Sequence, residues 1–504
     1  MSGPKVFEET HKSDSKRITI DPITRLEGHG KIEIFLNDEG NVAQAYWQVP
    51  ELRGFEKFCI GRSVDELNKI TPRLCGVCPG AHHLAATKAL DGVYNVEPTE
   101  TAKKLRELFY AAHYVHSHIA HFYALAAADF VLGPAAPVAQ RNILGVVDAV
   151  GVEIGGEVIK HRSYAQKVQE ILGGKATHPV CGIPGGMSKP LEEDDRVKIE
   201  GWANSMVDFA NFTLNLFNDL VLKNQQYLEI IASKDIYYNE TYYMGLVDKD
   251  NKINFYDGTL RVVDQKGNEK FKFHPNDYLE YIGEHVEPWS YEKFCFMKKI
   301  GWNGFTDGPE SGIYRCAPLA RINASSGFTT PLAQQAYEGM LGTFKDIGVT
   351  GPIHNTMAYH WARVIEMMHA AELLRDLAQD KSITSKDIKA PAGEPGEGIG
   401  CIEAPRGVLI HHYVADEEGI TTDVNLVVGT TNNNAPINLS VRQAAKALIK
   451  NWEVSPGLLN MVEMAYRAYD PCNSCATHSL PGKMPIKAVV RNPDGSVYQE
   501  LQNF

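Results

Sequence analysis

Two Cys-x-x-Cys pairs lie near opposite ends of this chain, Cys75 with Cys78 and Cys472 with Cys475. This spacing lets two thiolates converge on one centre, and soft sulfur ligands select soft or borderline metals. Two such pairs also build structural zinc sites. A zinc ribbon closes a short local loop, whereas roughly 400 residues separate these pairs. A centre that joins both ends must lie in the middle of a large fold. The other five cysteines (Cys59, Cys181, Cys295, Cys316 and Cys401) stand singly, and nine in 504 residues make no disulfide framework. Paired thiols among lone ones point to a reducing compartment and a metal. Buried thiols are the reading for the rest.

With 44% hydrophobic residues the chain has ample material for a large core. Its net charge of −12 argues against a nucleic-acid or anionic-membrane partner. No apolar run approaches the roughly 18 residues of a membrane span, and the polar N-terminus lacks the apolar core of a secretory signal. Periodicity predicts strands at 18–21, 31–36 and 42–49. It predicts long helices at 98–130, 142–172, 194–231, 332–344, 354–378, 441–452 and 456–468. A β-rich insertion is expected at about 235–275. The breaker-rich stretch 389–400 reads as a surface loop before paired strands at 408–414 and 422–428. The fold class expected is mainly α (α+β), a long helix bundle with small peripheral β-sheets. Residues 1–478 are expected to form one domain, with 479–504 as a C-terminal tail.

Six motifs follow one another in order. They are Asp21-Pro-Ile-Thr-Arg-Leu-Glu-Gly-His29, Arg53-Gly-Phe-Glu56, Arg73-Leu-Cys-Gly-Val-Cys-Pro-Gly-Ala-His82, His178-Pro179 with Pro184-Gly-Gly186, Glu403-Ala-Pro-Arg-Gly407, and Asp470-Pro-Cys-Asn-Ser-Cys-Ala-Thr-His478. Together they cover nearly the whole chain and resemble the large, catalytic subunit of nickel–iron hydrogenases. Within that family the chain is similar to cytosolic forms, the NAD-linked bidirectional and viologen-reducing enzymes among them.

The resemblance implies reversible heterolytic cleavage of hydrogen at a nickel–iron pair. Cys75, Cys78, Cys472 and Cys475 would hold nickel, with Cys78 and Cys475 bridging to an iron that carries carbon monoxide and cyanide. Pro405 and Arg406 would lie over this iron. Thr430 or Thr431 would donate to a cyanide, unless they are merely hydroxyls at a strand end. The proton released from hydrogen would go to Cys472 sulfur or first be drawn toward Arg406, and Glu27 would then relay it. His82 would hydrogen-bond a cysteine sulfur or be a satisfied core histidine. Glu56 and His478 would hold magnesium, or iron, near the C-terminus.

His113, His116, His118 and His121 share one predicted helix. A metal site there competes with packing, and packing is preferred because position 118 points away from the others. Ser117 stands where respiratory members often have Asp, which changes the partner available to Arg406.

The five scattered cysteines cannot form a four-thiolate iron–sulfur motif. Electrons must therefore leave through an iron–sulfur small subunit. From there they would reach NAD, ferredoxin or a related acceptor on diaphorase-type or other subunits. The resemblance adds nickel-insertion proteins and an endopeptidase that removes the tail on maturation. It also implies a cytoplasmic setting. The rival readings are a regulatory hydrogen sensor, which usually lacks such a tail, and a non-catalytic subunit like that of respiratory complex I, which lacks the cysteine pairs.

Overall fold

Alternating apolar residues start the chain on a small sheet. Strands β1 (Arg17–Ile20), β2 (Lys31–Leu36) and β3 (Val42–Gln48) pair antiparallel in that order. Ile32, Ile34 and Trp47 point inward and are fully buried. The structure is a computed structural model, and it describes residues 11–477, 487–491 and 496–502.

Helix α1 (Pro79–Val93) opens on a proline, whose missing N–H costs nothing at that position. Helix α2 (Glu100–Ile119) is capped by Thr99, whose hydroxyl accepts from the Ala102 N–H. The helix expected over 98–130 then widens into a π-helical stretch, Ala120–Ala126. The helix expected over 142–172 is two, α3 (Ile143–Val150) and α4 (Val152–Gly173). They break at Gly151, whose φ of 94° disfavours any residue with a Cβ. The span 194–231 likewise divides into α5 (Glu193–Phe217), a π-turn at Asn218–Leu222, and α6 (Gln225–Ala232).

The β-rich insertion runs further than 275. Strands β4 (Tyr242–Val247), β5 (Thr259–Val263) and β6 (Glu269–Phe273) form a meander. A separate hairpin follows, β7 (Ile282–Val286) with β8 (Lys293–Met297), and β9 (Tyr314–Arg315) then joins β4 in parallel. Helices α7 (Pro331–Asp346) and α8 (Ala358–Gln379) come next. Apolar residues surround α8, so it is buried on nearly every side. It packs on α5 and α2, and α2 packs on α4.

Strands β10 (Glu397–Ala404), β11 (Gly407–Ala415) and β12 (Thr421–Val427) form an antiparallel sheet over α1. β10 begins inside the stretch read as loop. The cause is packing: a Cβ on Gly398 would meet Val93 N at 2.1 Å, and one on Gly400 would meet Ala85 O at 2.1 Å. These glycines let strand and helix touch and do not turn the chain.

Helix α9 (Gly429–Leu448) starts well before residue 441 and carries Pro436 inside it. Thr430 and Thr431 therefore lie in a first helical turn, not at a strand end. Helix α10 (Pro456–Arg467) is capped by Ser455. One hydrophobic core reaches from Ile20 to Ala476 and includes all four paired cysteines. In the tail, β13 (Lys487–Arg491) pairs antiparallel with β14 (Val497–Gln502). Among the described residues, no helix is long and apolar enough to cross a membrane.

Candidate metal centre

The first cysteine pair is held by its own neighbourhood. Cys75 is extended, Cys78 sits at the N-cap of α1, and the N–H groups of Val77 and Cys78 donate to Cys75 Sγ at 3.2 and 3.3 Å. The second pair is held from afar. Thr430 Oγ1 accepts from the Cys472 N–H at 2.9 Å, and the Asn473 N–H donates to the Glu27 carbonyl at 3.1 Å. Glu27 and Cys472 form a parallel β-bridge. Gly28 permits this approach: its φ is 81°, and a Cβ there would lie 3.0 Å from that of Asn473.

These contacts bring four sulfurs together. Sγ–Sγ distances are 3.0 Å for Cys75–Cys472, 3.7 Å for Cys78–Cys475 and 2.9 Å for Cys472–Cys475. All four sulfurs lie within 4.8 Å of one another and are buried. The separations are too long for disulfides, whose S–S bond is about 2.05 Å. Burial opposes charge at Cys75, yet hydrogen bonds from the other three thiols carry it well below the ordinary thiol range. Burial and the thiol hydrogen bonds it donates to neighbouring sulfurs push Cys472 well above that range. The protein alone thus concentrates negative charge on few sulfurs, and a cation is what lets all four ionise. The donor set fits a soft metal centre.

Around the sulfurs stand charged and polar groups. Arg406 Nη1 donates to Ser117 Oγ at 3.1 Å, and Nη2 pairs with Asp470 at 2.9 Å. Asp470, inside the second cysteine motif, is the Arg406 partner that sequence reading did not name. Burial opposes the Arg406 charge, but Asp470 and the cysteines together raise its pKa. Ser474 Oγ donates to Glu27 Oε1 at 2.7 Å, and the Ser474 N–H to Oε2 at 3.2 Å. Burial, followed by the charge at Cys75, pushes the Glu27 carboxyl up. His82 Nε2 lies 3.3 Å from Cys475 Sγ, and its Nδ1 lies 3.0 Å from His411 Nε2.

Pro405 lends its carbonyl to Arg321 Nη2 at 3.2 Å, and Ala404 lends its own to Nη1 at 3.0 Å. Arg321 also pairs with Glu366 and Glu403 at 2.6 Å each, and all three side chains are fully buried. Glu403 opens one of the sequence motifs, but nothing in the sequence joined it to Arg321 or Glu366. Glu56 Oε1 accepts from the Leu426 N–H at 2.8 Å and lies 3.5 Å from the ammonium of buried Lys293. His478 lies outside the described residues, so its expected partnership with Glu56 is not seen.

The histidines of α2 and the turn after it are not brought onto one centre. His113 Nδ1 contacts Gln169, His118 Nε2 contacts Glu366, and His121 Nε2 bonds the Arg467 carbonyl. Burial pushes His113 and His118 down to about 4, so both are neutral near pH 7. Among the described residues, the cysteine quartet is the one group of three or more potential ligands that comes this close. A surface cavity of about 830 Å³ is lined by residues such as Lys88, Asp257 and Glu397 and by none of the groups around the sulfurs.

Comparison with known proteins agrees with this geometry. A family model described as nickel-dependent hydrogenase matches residues 53–141 and 293–478, and one described as HoxL-like matches residues 17–52. The chain is 51% identical to an F420-non-reducing hydrogenase iron-sulfur subunit from Archaeoglobus profundus, over 97% of this chain and 100% of that one. It is 37% identical to the NAD-reducing hydrogenase HoxS subunit beta of Cupriavidus necator, over 96% and 99%. A crystal structure of NAD+-reducing [NiFe]-hydrogenase in the H2-reduced state superposes with a TM-score of 0.85 at 37% identity, covering 92% of this chain and 100% of that one. Sequence, fold and a buried cysteine quartet thus converge, and the chain belongs to the nickel-dependent hydrogenases as a catalytic large subunit.

Proposed function

We propose that this subunit cleaves hydrogen reversibly and heterolytically at a nickel–iron pair, with Glu27 as its proton carrier. The observation that carries the reading is the Glu27–Cys472 bridge, which brings a half-buried carboxylate within hydrogen-bond reach of a sulfur of the quartet. Cys75 and Cys472 would hold nickel alone, and Cys78 and Cys475 would be shared with iron. Arg406 Nε and Thr431 Oγ1 are buried and make no hydrogen bond within the protein. Donors kept dry in this way suit a strongly accepting ligand such as cyanide, and Thr430 Oγ1 keeps its own proton to offer. When bound, the metal pair supplies a redox-active Lewis acid that polarises hydrogen.

The chain's own residues do the rest. Cys472 sulfur receives the proton, and Glu27 takes it from there. Ser474 fixes both carboxylate oxygens of Glu27. Arg406, pinned by Asp470 and Ser117, holds a fixed positive charge over the site as charge develops. Pro405 would lie over the iron beside Arg406, and His82 tunes the Cys475 sulfur. Glu56 with His478 would hold magnesium, or iron, near the chain end.

The lone cysteines Cys59, Cys181, Cys295, Cys316 and Cys401 are buried apart from the quartet. Electrons therefore leave to an iron–sulfur small subunit, then to NAD, ferredoxin or a related acceptor, through diaphorase-type or other subunits. A relative named as an NAD-reducing hydrogenase supports NAD among these acceptors. We place the complex in the cytoplasm and assign the tail from 479 to a maturation endopeptidase acting after nickel insertion. The test is metal analysis with infrared spectroscopy of the matured complex. Nickel and iron with carbonyl and cyanide bands are expected. Zinc alone, with neither band, would defeat the reading.

A further inference from the structure

Beside Glu27 runs a buried ion network of which only Thr24 and Arg25 stand in a sequence motif. Asn460, Glu463 and Arg467 fall on one face of α10, at helical spacing, and all three are buried. Arg467 Nη1 pairs with Asp129 at 2.7 Å and Nη2 with Glu463 at 2.7 Å. Asp129 also receives Arg25 Nη2 at 2.5 Å and Asn460 Nδ2 at 3.0 Å. Arg25 Nη1 reaches the Leu125 carbonyl at 2.9 Å, within the π-helical stretch after α2. Beside it, the Thr24 hydroxyl and N–H both donate to Glu463, at 2.7 and 3.1 Å.

The backbone shows what this grip is for. Arg25 has φ of 57° and Asp470 φ of 56°, left-handed conformations that are uncommon outside glycine, less so for aspartate than for arginine. Each stands two residues before a partner in the Glu27–Cys472 bridge. Each is locked by a buried ion pair, Arg25 by Asp129 and Asp470 by Arg406. Strained residues persist where their surroundings over-determine them. The helix that grips Thr24 and Arg25 is also the one that leads into Asp470 and Cys472.

We propose that Asp129 is a positioning residue for proton transfer: through Arg25 and Arg467 it sets the distance between the Glu27 carboxylate and the Cys472 sulfur. The proposal rests on Glu27 being the proton carrier, so its test separates the two. Asp129→Asn keeps the shape and removes the charge. Arg25→Lys keeps a cation and loses the forked grip. Each is made in the whole complex, alone and combined with Glu27→Gln. The readouts are nickel and iron content, infrared bands, apparent KM for hydrogen, and hydrogen–deuterium exchange.

Metal content, bands and KM are expected to stay as in the parent. Exchange should fall about tenfold in Asp129→Asn and less in Arg25→Lys, since a misplacement near 1 Å can cost about 100-fold. The double variants should be no slower than Glu27→Gln alone. Parental exchange in metal-loaded Asp129→Asn, or losses that multiply in the doubles, would overturn the positioning role and leave Glu27 untouched. Unchanged exchange in Glu27→Gln would instead bring down the proton-carrier reading and this inference with it. If Asp129→Asn fails to load metal, Arg25→Lys decides on the same criteria.

Discussion

The two cysteine pairs supply the same chemistry on opposite structural terms. Cys75 and Cys78 form a half-site that braces itself, with two of its own N–H groups on Cys75 sulfur and a helix starting at once. Cys472 and Cys475 rest on Thr430, on the Glu27 backbone and on His82, each far away in sequence. The first half-site can form early and locally. The second exists only when the surrounding fold does. The comparison teaches that the metal centre is completed from its C-terminal side.

Variants can break this contrast or sharpen it. The largest effect is expected from Cys475→Ala, which removes a sulfur assigned to both metals. Nickel and iron should both be missing by metal analysis, and full nickel occupancy would show that the two halves are not interdependent. Glu27→Gln should come next. The metals stay, because its backbone still braces Asn473, while exchange drops about 100-fold or more, the usual scale for a lost proton carrier. Thr430→Val leaves the Cys472 N–H buried without an acceptor, at a cost of about 1–3 kcal/mol. Thermal melting should fall, and nickel should be lost to chelators faster than in the parent, with the first pair unaffected. The smallest effect at the metals is expected from Ser117→Ala. There Asp470 still holds Arg406, so nickel content should stay and the infrared bands shift only slightly, while the buried Nη1 left without an acceptor lowers the stability read by thermal melting by about 1–3 kcal/mol.

Much of this was readable in the residues, and the remainder failed for physical reasons. The cysteines, Glu27 and Arg406 stand in contiguous motifs, so spacing and resemblance located them. The strands at 31–36 and 42–48 announced themselves by alternation. The first half of helix α9 did not, because Gly429, Thr430, Thr431, Asn432, Asn433, Asn434 and Pro436 are poor helix formers. Tertiary bonds override that preference. Asn432 Nδ2 donates to the Val408 carbonyl, Asn433 Nδ2 to that of Arg406, and Asn434 Nδ2 to that of Lys293. Glycines 398 and 400 misled in the other direction, since close packing and turning use the same residue. Asp129, Arg321, Glu366 and Lys293 carry no local signal at all. Each matters through partners that only the folded chain supplies.

The meeting of Cys75 with Cys472 spans 397 positions. Closing so long a loop costs entropy that grows only with the logarithm of its length, about 0.6 kcal/mol for each doubling. The thermodynamic penalty is therefore modest, but the timing is strict. A ribosome must release everything up to Cys475, 397 positions beyond Cys78, before the fourth sulfur can reach the other three. Metal delivered earlier would find two ligands and an unfinished interior. The order of synthesis thus acts as a clock, holding the centre open until everything that must surround it has been made.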